Sequence, residues 1–93
     1  GVYGVFGNTA TAPAVTTTST NSRVYCFVSG VTSAAYTPQS GAVEVAEATT
    51  GTAGLYVFSY LQATIGVAGP LTATIDGGGT ANHYGCSIAM KGL

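Results

Sequence analysis

The sequence predicts a small all-β domain, an antiparallel β-sandwich of jelly-roll-like type with about eight short strands. Three observations carry this expectation. Strand formers dominate the 93 residues: Thr, Val and Tyr are abundant, while 14 glycines and short polar clusters punctuate the chain as turns. No window of helical length carries apolar residues at i, i+3, i+4 and i+7. Several segments instead alternate apolar and polar residues with the period of two that belongs to a half-buried strand.

Taken in order, Val2–Phe6 is an apolar run of strand formers closed by Gly7-Asn8. Pro13–Thr18 centres on β-branched Val15 to Thr18 and stops at Thr20-Asn21. Ser22–Ser29 is apolar on both faces from Arg23 to Val28, the mark of a central or doubly covered strand, and Gly30 ends it. Ala34–Thr37 is short and runs into the breakers Pro38 to Gly41. Within Ala42–Ala48, regular alternation sends Val43 and Val45 one way and Glu44 and Ala46 the other, a half-exposed strand before the turn at Thr49 to Thr52. Gly54–Leu61 is again apolar on both faces, with Tyr56, Phe58 and Tyr60 forming an aromatic row on one of them. After the breakers Gly66 to Pro70, Leu71–Asp76 directs Leu71, Ala73 and Ile75 to the core and Thr72 and Thr74 outward. Gly77-Gly78-Gly79 reads as a flexible hairpin turn into His83–Lys91, where Tyr84, Cys86, Ile88 and Met90 share a face opposite Gly85, Ser87, Ala89 and Lys91. No internal repeat or change of composition divides the chain, so residues 1–93 read as one domain.

Composition narrows the function classes. Charged residues make up 5% of the chain, against about 25% in a typical soluble domain, and they are Arg23, Glu44, Glu47, Asp76 and Lys91. Two cations give no electrostatic footprint for nucleic acid. No apolar run approaches the roughly 18 residues of a membrane-spanning helix, and no basic amphipathic stretch suits a membrane surface. The opening Gly1-Val2-Tyr3-Gly4 lacks the basic head and apolar stretch of a signal peptide, and either an initiator Met has been removed or the chain is a processed or truncated product. With a net charge of −1, the surface must be covered by Thr, Ser, Gly and Ala, which suggests that much of it sits against other protein.

The chemistry-bearing residues are few. Cys26 and Cys86 fall in two strands that could be antiparallel neighbours. A disulfide between them would close a loop of about 60 residues and contribute ~4 kcal/mol, provided the Cα atoms lie within ~7 Å. Otherwise each packs as a small apolar residue. Two cysteines and one histidine at no recognised ligand spacing do not suggest a metal site, and no cofactor is expected. Ser87, His83 and Asp76 hold the residue types of a catalytic triad, but no Gly-x-Ser-x-Gly elbow accompanies them, and His83 is expected as a polar residue at the start of its strand beside the Gly77–Gly79 turn. Glu44 and Glu47 could serve as paired carboxylates, yet a spacing of three sets them on opposite faces of a regular strand. Gly77-Gly78-Gly79 is followed by Thr80 without the Lys of a phosphate loop. Six Tyr and three Phe could line a sugar-binding face or fill a core. No enzymatic activity is expected from this inventory.

Several segments follow one another in a distinctive order. They are Ala14-Val15-Thr16-Thr17-Thr18, then Asn21-Ser22 before Arg23-Val24-Tyr25-Cys26-Phe27-Val28. A turn Tyr36-Thr37-Pro38-Gln39-Ser40-Gly41-Ala42-Val43-Glu44 follows, then Gly54-Leu55-Tyr56-Val57. Gln62 to Gly69 leads into Thr72-Ala73-Thr74-Ile75, and Ser87-Ile88-Ala89-Met90-Lys91 closes the pattern. In this order the segments resemble a β-sandwich module of tail, fibre and capsid-associated proteins of tailed bacteriophages and prophages. The chain departs from it at Gln39 and Ala42, where the family has proline and an aromatic residue. The resemblance implies a non-catalytic virion structural protein, a capsid decoration or cement protein or a fibre subunit, bound to other virion proteins and to copies of itself. It implies assembly in a reducing host cytoplasm, which weighs against a disulfide, and residence on the virion surface. Val2, Tyr3, Val5 and Phe6 form the segment expected to pair with a neighbouring chain, or else to be the sandwich's own first strand. The alternatives are a carbohydrate-binding or adhesin-like module, with a glycan as partner, and an extracellular fibre or pilus subunit.

Overall fold

The computed structural model describes residues 2–31, 35–51, 53–76 and 79–91. The described residues form ten strands: β1 (Val2–Gly7), β2 (Thr9–Ala12), β3 (Val15–Thr17), β4 (Ser22–Gly30), β5 (Tyr36–Pro38), β6 (Ala42–Thr49), β7 (Gly54–Gln62), β8 (Gly66–Ala68), β9 (Leu71–Ile75) and β10 (Ala81–Met90). The described residues include no helix. All ladders are antiparallel. A five-stranded sheet has the order β1-β10-β4-β7-β6, a three-stranded sheet the order β2-β9-β5, and β3 and β8 form a separate ribbon. The expected small antiparallel sandwich is present.

The pairing follows one rule. β1 pairs with β10, β2 with β9, β3 with β8 and β4 with β7, so the chain is a long antiparallel hairpin wound on itself. That winding is how a jelly roll brings both chain ends into one sheet. Winding is completed where β10 pairs with β4 and β5 with β9. Two of the ten strands, β2 and β8, lie in segments that read as connections. Both are short, and each is held by its partner across the ribbon rather than by a hydrophobic run of its own. Thr17 anchors the ribbon: its buried hydroxyl donates to the carbonyl of Gly66 at 3.1 Å and accepts from the Gly66 amide at 3.2 Å.

The core lies between the two larger sheets. From the five-stranded sheet come Val24, Cys26, Val28, Tyr56, Phe58 and Ala81; the opposing sheet supplies Ala10, Ala12, Tyr36, Leu71, Ala73 and Ile75. Large residues of both layers, Tyr36, Tyr56 and Phe58 among them, share the core with the small residues Ala10, Ala12, Ala73 and Ala81, which lets the layers interdigitate. The approach is closest at Gly85, where a Cβ would collide with the backbone of Thr11 and Ala12. Only glycine fits there.

β4 lies at the centre of its sheet, flanked by β10 and β7, as its doubly apolar sequence predicts. The inward row of β7 is Tyr56 and Phe58, both fully buried, with Tyr60 partly so. β9 buries Leu71, Ala73 and Ile75. In β10 the four residues Tyr84, Cys86, Ile88 and Met90 do share a face, and it is the outer one. The small-residue face turns inward, because β2 passes so close above Gly85 that no large side chain can stand there.

Candidate functional site

Two places in the structure concentrate side chains that could act: a buried polar cluster at one end of the sandwich, and the outer face of the five-stranded sheet.

The buried cluster is centred on His83, which is 1% exposed in β10. The residue expected at the rim of a turn is therefore inside, because the inward parity of β10 includes position 83. Its Nε2 lies 2.8 Å from the Gly7 carbonyl, and a carbonyl only accepts, so Nε2 carries a proton. In the neutral ring Nδ1 then accepts from the Tyr36 hydroxyl, 2.8 Å away. His83 thereby ties β10 to β5 and to the β1–β2 corner. Tyr36 stacks on Tyr56 with ring centroids 5.6 Å apart. Burial raises the pKa of Tyr36, and the negative charge of Glu47 adds to the rise.

The Tyr56 hydroxyl is buried and finds no hydrogen-bond partner among the described residues. The Glu44 carboxylate stands beside it outside hydrogen-bond geometry. Burial first, then that charge, pushes the Tyr56 pKa up to about 12. Glu44 and Glu47 themselves correct the expectation from regular alternation. A β-bulge at Val45 adds one residue to β6, so Glu44 lies opposite Phe58 and Glu47 opposite Tyr56, both on the inner side of the sheet. The Glu47 carboxylate accepts the Tyr36 amide at 3.3 Å.

The triad residues do not converge. Both ring nitrogens of His83 are engaged by Tyr36 and Gly7, the Ser87 hydroxyl donates to the Pro13 carbonyl at 2.7 Å, and Asp76 accepts the hydroxyl of Thr37. The cysteines are free, which corrects the disulfide considered from the sequence. Their strands are neighbours, as that idea required, but the register is offset by one: Cys26 lies opposite Ser87 and Cys86 opposite Phe27. The pleat puts Cys26 in the core and Cys86 on the outer face, so no bond can form without moving the backbone. Burial raises the Cys26 pKa, an effect the Ser87 contact opposes. Of the Gly77–Gly79 turn, Gly77 and Gly78 lie outside the described residues.

The outer face is laid out by the ladders as four rungs across β7, β4 and β10: Leu55–Ser29–Tyr84, Val57–Phe27–Cys86, Ser59–Tyr25–Ile88 and Leu61–Arg23–Met90. β6 adds Val43 and Ala46 beside them. Leu55, Leu61, Val43, Tyr84, Ile88 and Met90 each leave 46–61% of their surface exposed. Arg23 brings the positive charge to these rungs, and its guanidinium donates to the Ser59 hydroxyl at 3.2 Å. Phe27, Ser29, Leu55, Tyr84 and Cys86 surround a shallow depression of about 190 Å³. Sequence alternation grouped the β10 residues of this face correctly but carried no sign of which side would be covered.

β1, the segment expected to pair with a neighbour, pairs within the chain: Val2 lies opposite Cys86 and Phe6 opposite Asn82. It is the sandwich's own first strand and one edge of the five-stranded sheet.

No family model matches the chain, and neither the curated proteins nor the solved structures contain a match to it.

Proposed function

We propose that this chain is a non-catalytic structural protein of a virus particle, a capsid decoration or cement protein or a fibre subunit that binds its neighbours through the outer face of the five-stranded sheet. The observation that carries the binding role is that face. Exposed apolar patches beyond a few hundred Å² mark interaction surfaces, and this one extends over four rungs and the adjoining β6, with six large apolar side chains half open to solvent. The virion assignment is supported by the ordered series of motifs from Ala14 to Lys91. The mutual engagement of His83, Tyr36, Ser87 and Asp76 with structural partners favours a binding role over catalysis. Placement of Tyr56, Phe58 and Tyr36 in the core makes a glycan-binding aromatic row the weaker alternative.

Immuno-electron microscopy of lysates from the natural source tests the proposal. Label on capsids, tails or fibres is the expected result. Label confined to soluble material, with none on particles, would refute it.

A further inference from the structure

We infer that a second copy of this chain covers the outer face, sheet against sheet, about a two-fold axis that lies in the plane of the face and runs across the strands. The inference rests on the reading of this face as a binding surface and names its partner.

Size is the first argument. Strands spaced about 4.8 Å apart with a rise of about 3.4 Å per residue give the four-strand platform of β10, β4, β7 and β6 a footprint of roughly 590 Å² before side-chain relief is counted. A stable pair needs about 800 Å² on each partner. The face is therefore about as large as one side of a standard interface, and two such sheets pack face to face at about 10 Å.

Charge is the second argument, and it selects the axis. Arg23 stands at one end of the platform, on the rung with Leu61 and Met90. An axis along the strands would keep both Arg23 side chains at the same end of the pair, like charge beside like charge. An axis across them reverses the strand direction and carries Arg23 of the second copy to the opposite end, at the level of Ser29, between Leu55 and Tyr84. The depression of about 190 Å³ lies there. A planar guanidinium fits against aromatic rings such as Tyr84 and Phe27. The geometry thus assigns one charged group and one hollow to each other, twice per pair, as a two-fold interface requires.

Sedimentation equilibrium of the full chain, combined with cross-linking by a short bis-maleimide, tests the pairing. The wild type sediments as a dimer. Ile88→Asp and Arg23→Glu each weaken association at least ~10-fold, since each leaves an unpaired negative charge in the covered face, while circular dichroism stays that of the folded chain. Val67→Asp, exposed on β8 away from this face, leaves association unchanged and controls for added charge. Cross-links join Cys86 to Cys86 of the second copy and vanish in Cys86→Ser, not in Cys26→Ser. A wild type that stays monomeric near millimolar concentration overturns the pairing. So does a dimer that folded Ile88→Asp retains, or one without a Cys86 cross-link, as pairing through the β1 edge would give. A monomeric chain that still decorates particles would remove this pairing and keep the proposed function; a Cys86-linked dimer absent from particles would do the reverse.

Discussion

The inner and outer faces of the five-stranded sheet use the same strands and opposite strategies. On the inner face the rings of Tyr36, Tyr56 and Phe58 are buried in one core with Ala10, Ala12 and Ala73, and Gly85 admits the backbone of β2. On the outer face Tyr84, Ile88 and Met90 project from the same strand that supplies Ala81, His83 and Gly85 inward. In β10 the bulkier apolar residues are therefore the uncovered ones. Hydrophobicity alone does not decide which side of a strand becomes core. The second sheet decides it, by coming closest where side chains are smallest, and the large apolar row is left for something else to bury.

The sharpest way to break the comparison is to force a side chain onto the inner side of β10. Gly85→Val should destabilise the chain by about 3 kcal/mol or more, or prevent folding, because rigid backbone rather than a movable side chain occupies the space. Urea denaturation measures it, and a loss below about 1 kcal/mol would mean the sheets are not in contact there. Next comes the polar tie between layers. His83→Ala should cost about 3 kcal/mol, since it opens a cavity and strands the Tyr36 hydroxyl and the Gly7 carbonyl; Tyr36→Phe should cost about 1 kcal/mol.

Tyr56 sharpens the contrast from the other direction. Its hydroxyl is buried without a partner, so Tyr56→Phe should change stability by less than about 1 kcal/mol and can raise it. The raised pKa gives a signature in alkali. The folded chain holds the Tyr56 proton up to about 12, whereas an unfolded tyrosine releases it near 10. The stabilisation is complete below pH 10 and is lost as pH rises through the folded value, so stability falls between about 10 and 12. Denaturation midpoints followed across that window should fall less steeply in Tyr56→Phe. The smallest effect belongs to the outer face: Leu61→Thr should leave the stability of the isolated chain within about 0.5 kcal/mol, because Leu61 is already half exposed.

Much of the architecture can be read from the residues. The doubly apolar runs Arg23–Val28 and Leu55–Tyr60 place β4 and β7 inside the sheet, and the alternation of Leu71 to Ile75 points the right side chains inward. Three features are not legible there, each for a physical reason. β2 and β8 are too short for a pattern of their own and exist because a partner strand passes alongside. The bulge at Val45 shifts parity by one residue, which no period-two reading contains, and it turns Glu44 and Glu47 to the same side. The offset that separates Cys26 from Cys86 is set by the ladder between β4 and β10, and a one-residue difference in register decides between a bond and opposite faces. The outer face was half legible: alternation grouped Tyr84 with Ile88 and Met90, and only the position of the second sheet shows that they stay uncovered.

The two cysteines, one on each face, give the most direct test of the claim that the chain fills one side of its sheet and leaves the other for a partner. Thiol-labelling rates measured by mass spectrometry at rising protein concentration report both sides at once. The expected result is a Cys26 that reacts only through unfolding at every concentration, and a Cys86 that reacts readily in dilute solution and becomes protected as the chain associates. Equal rates at the two positions, or a Cys86 rate indifferent to concentration, would contradict it.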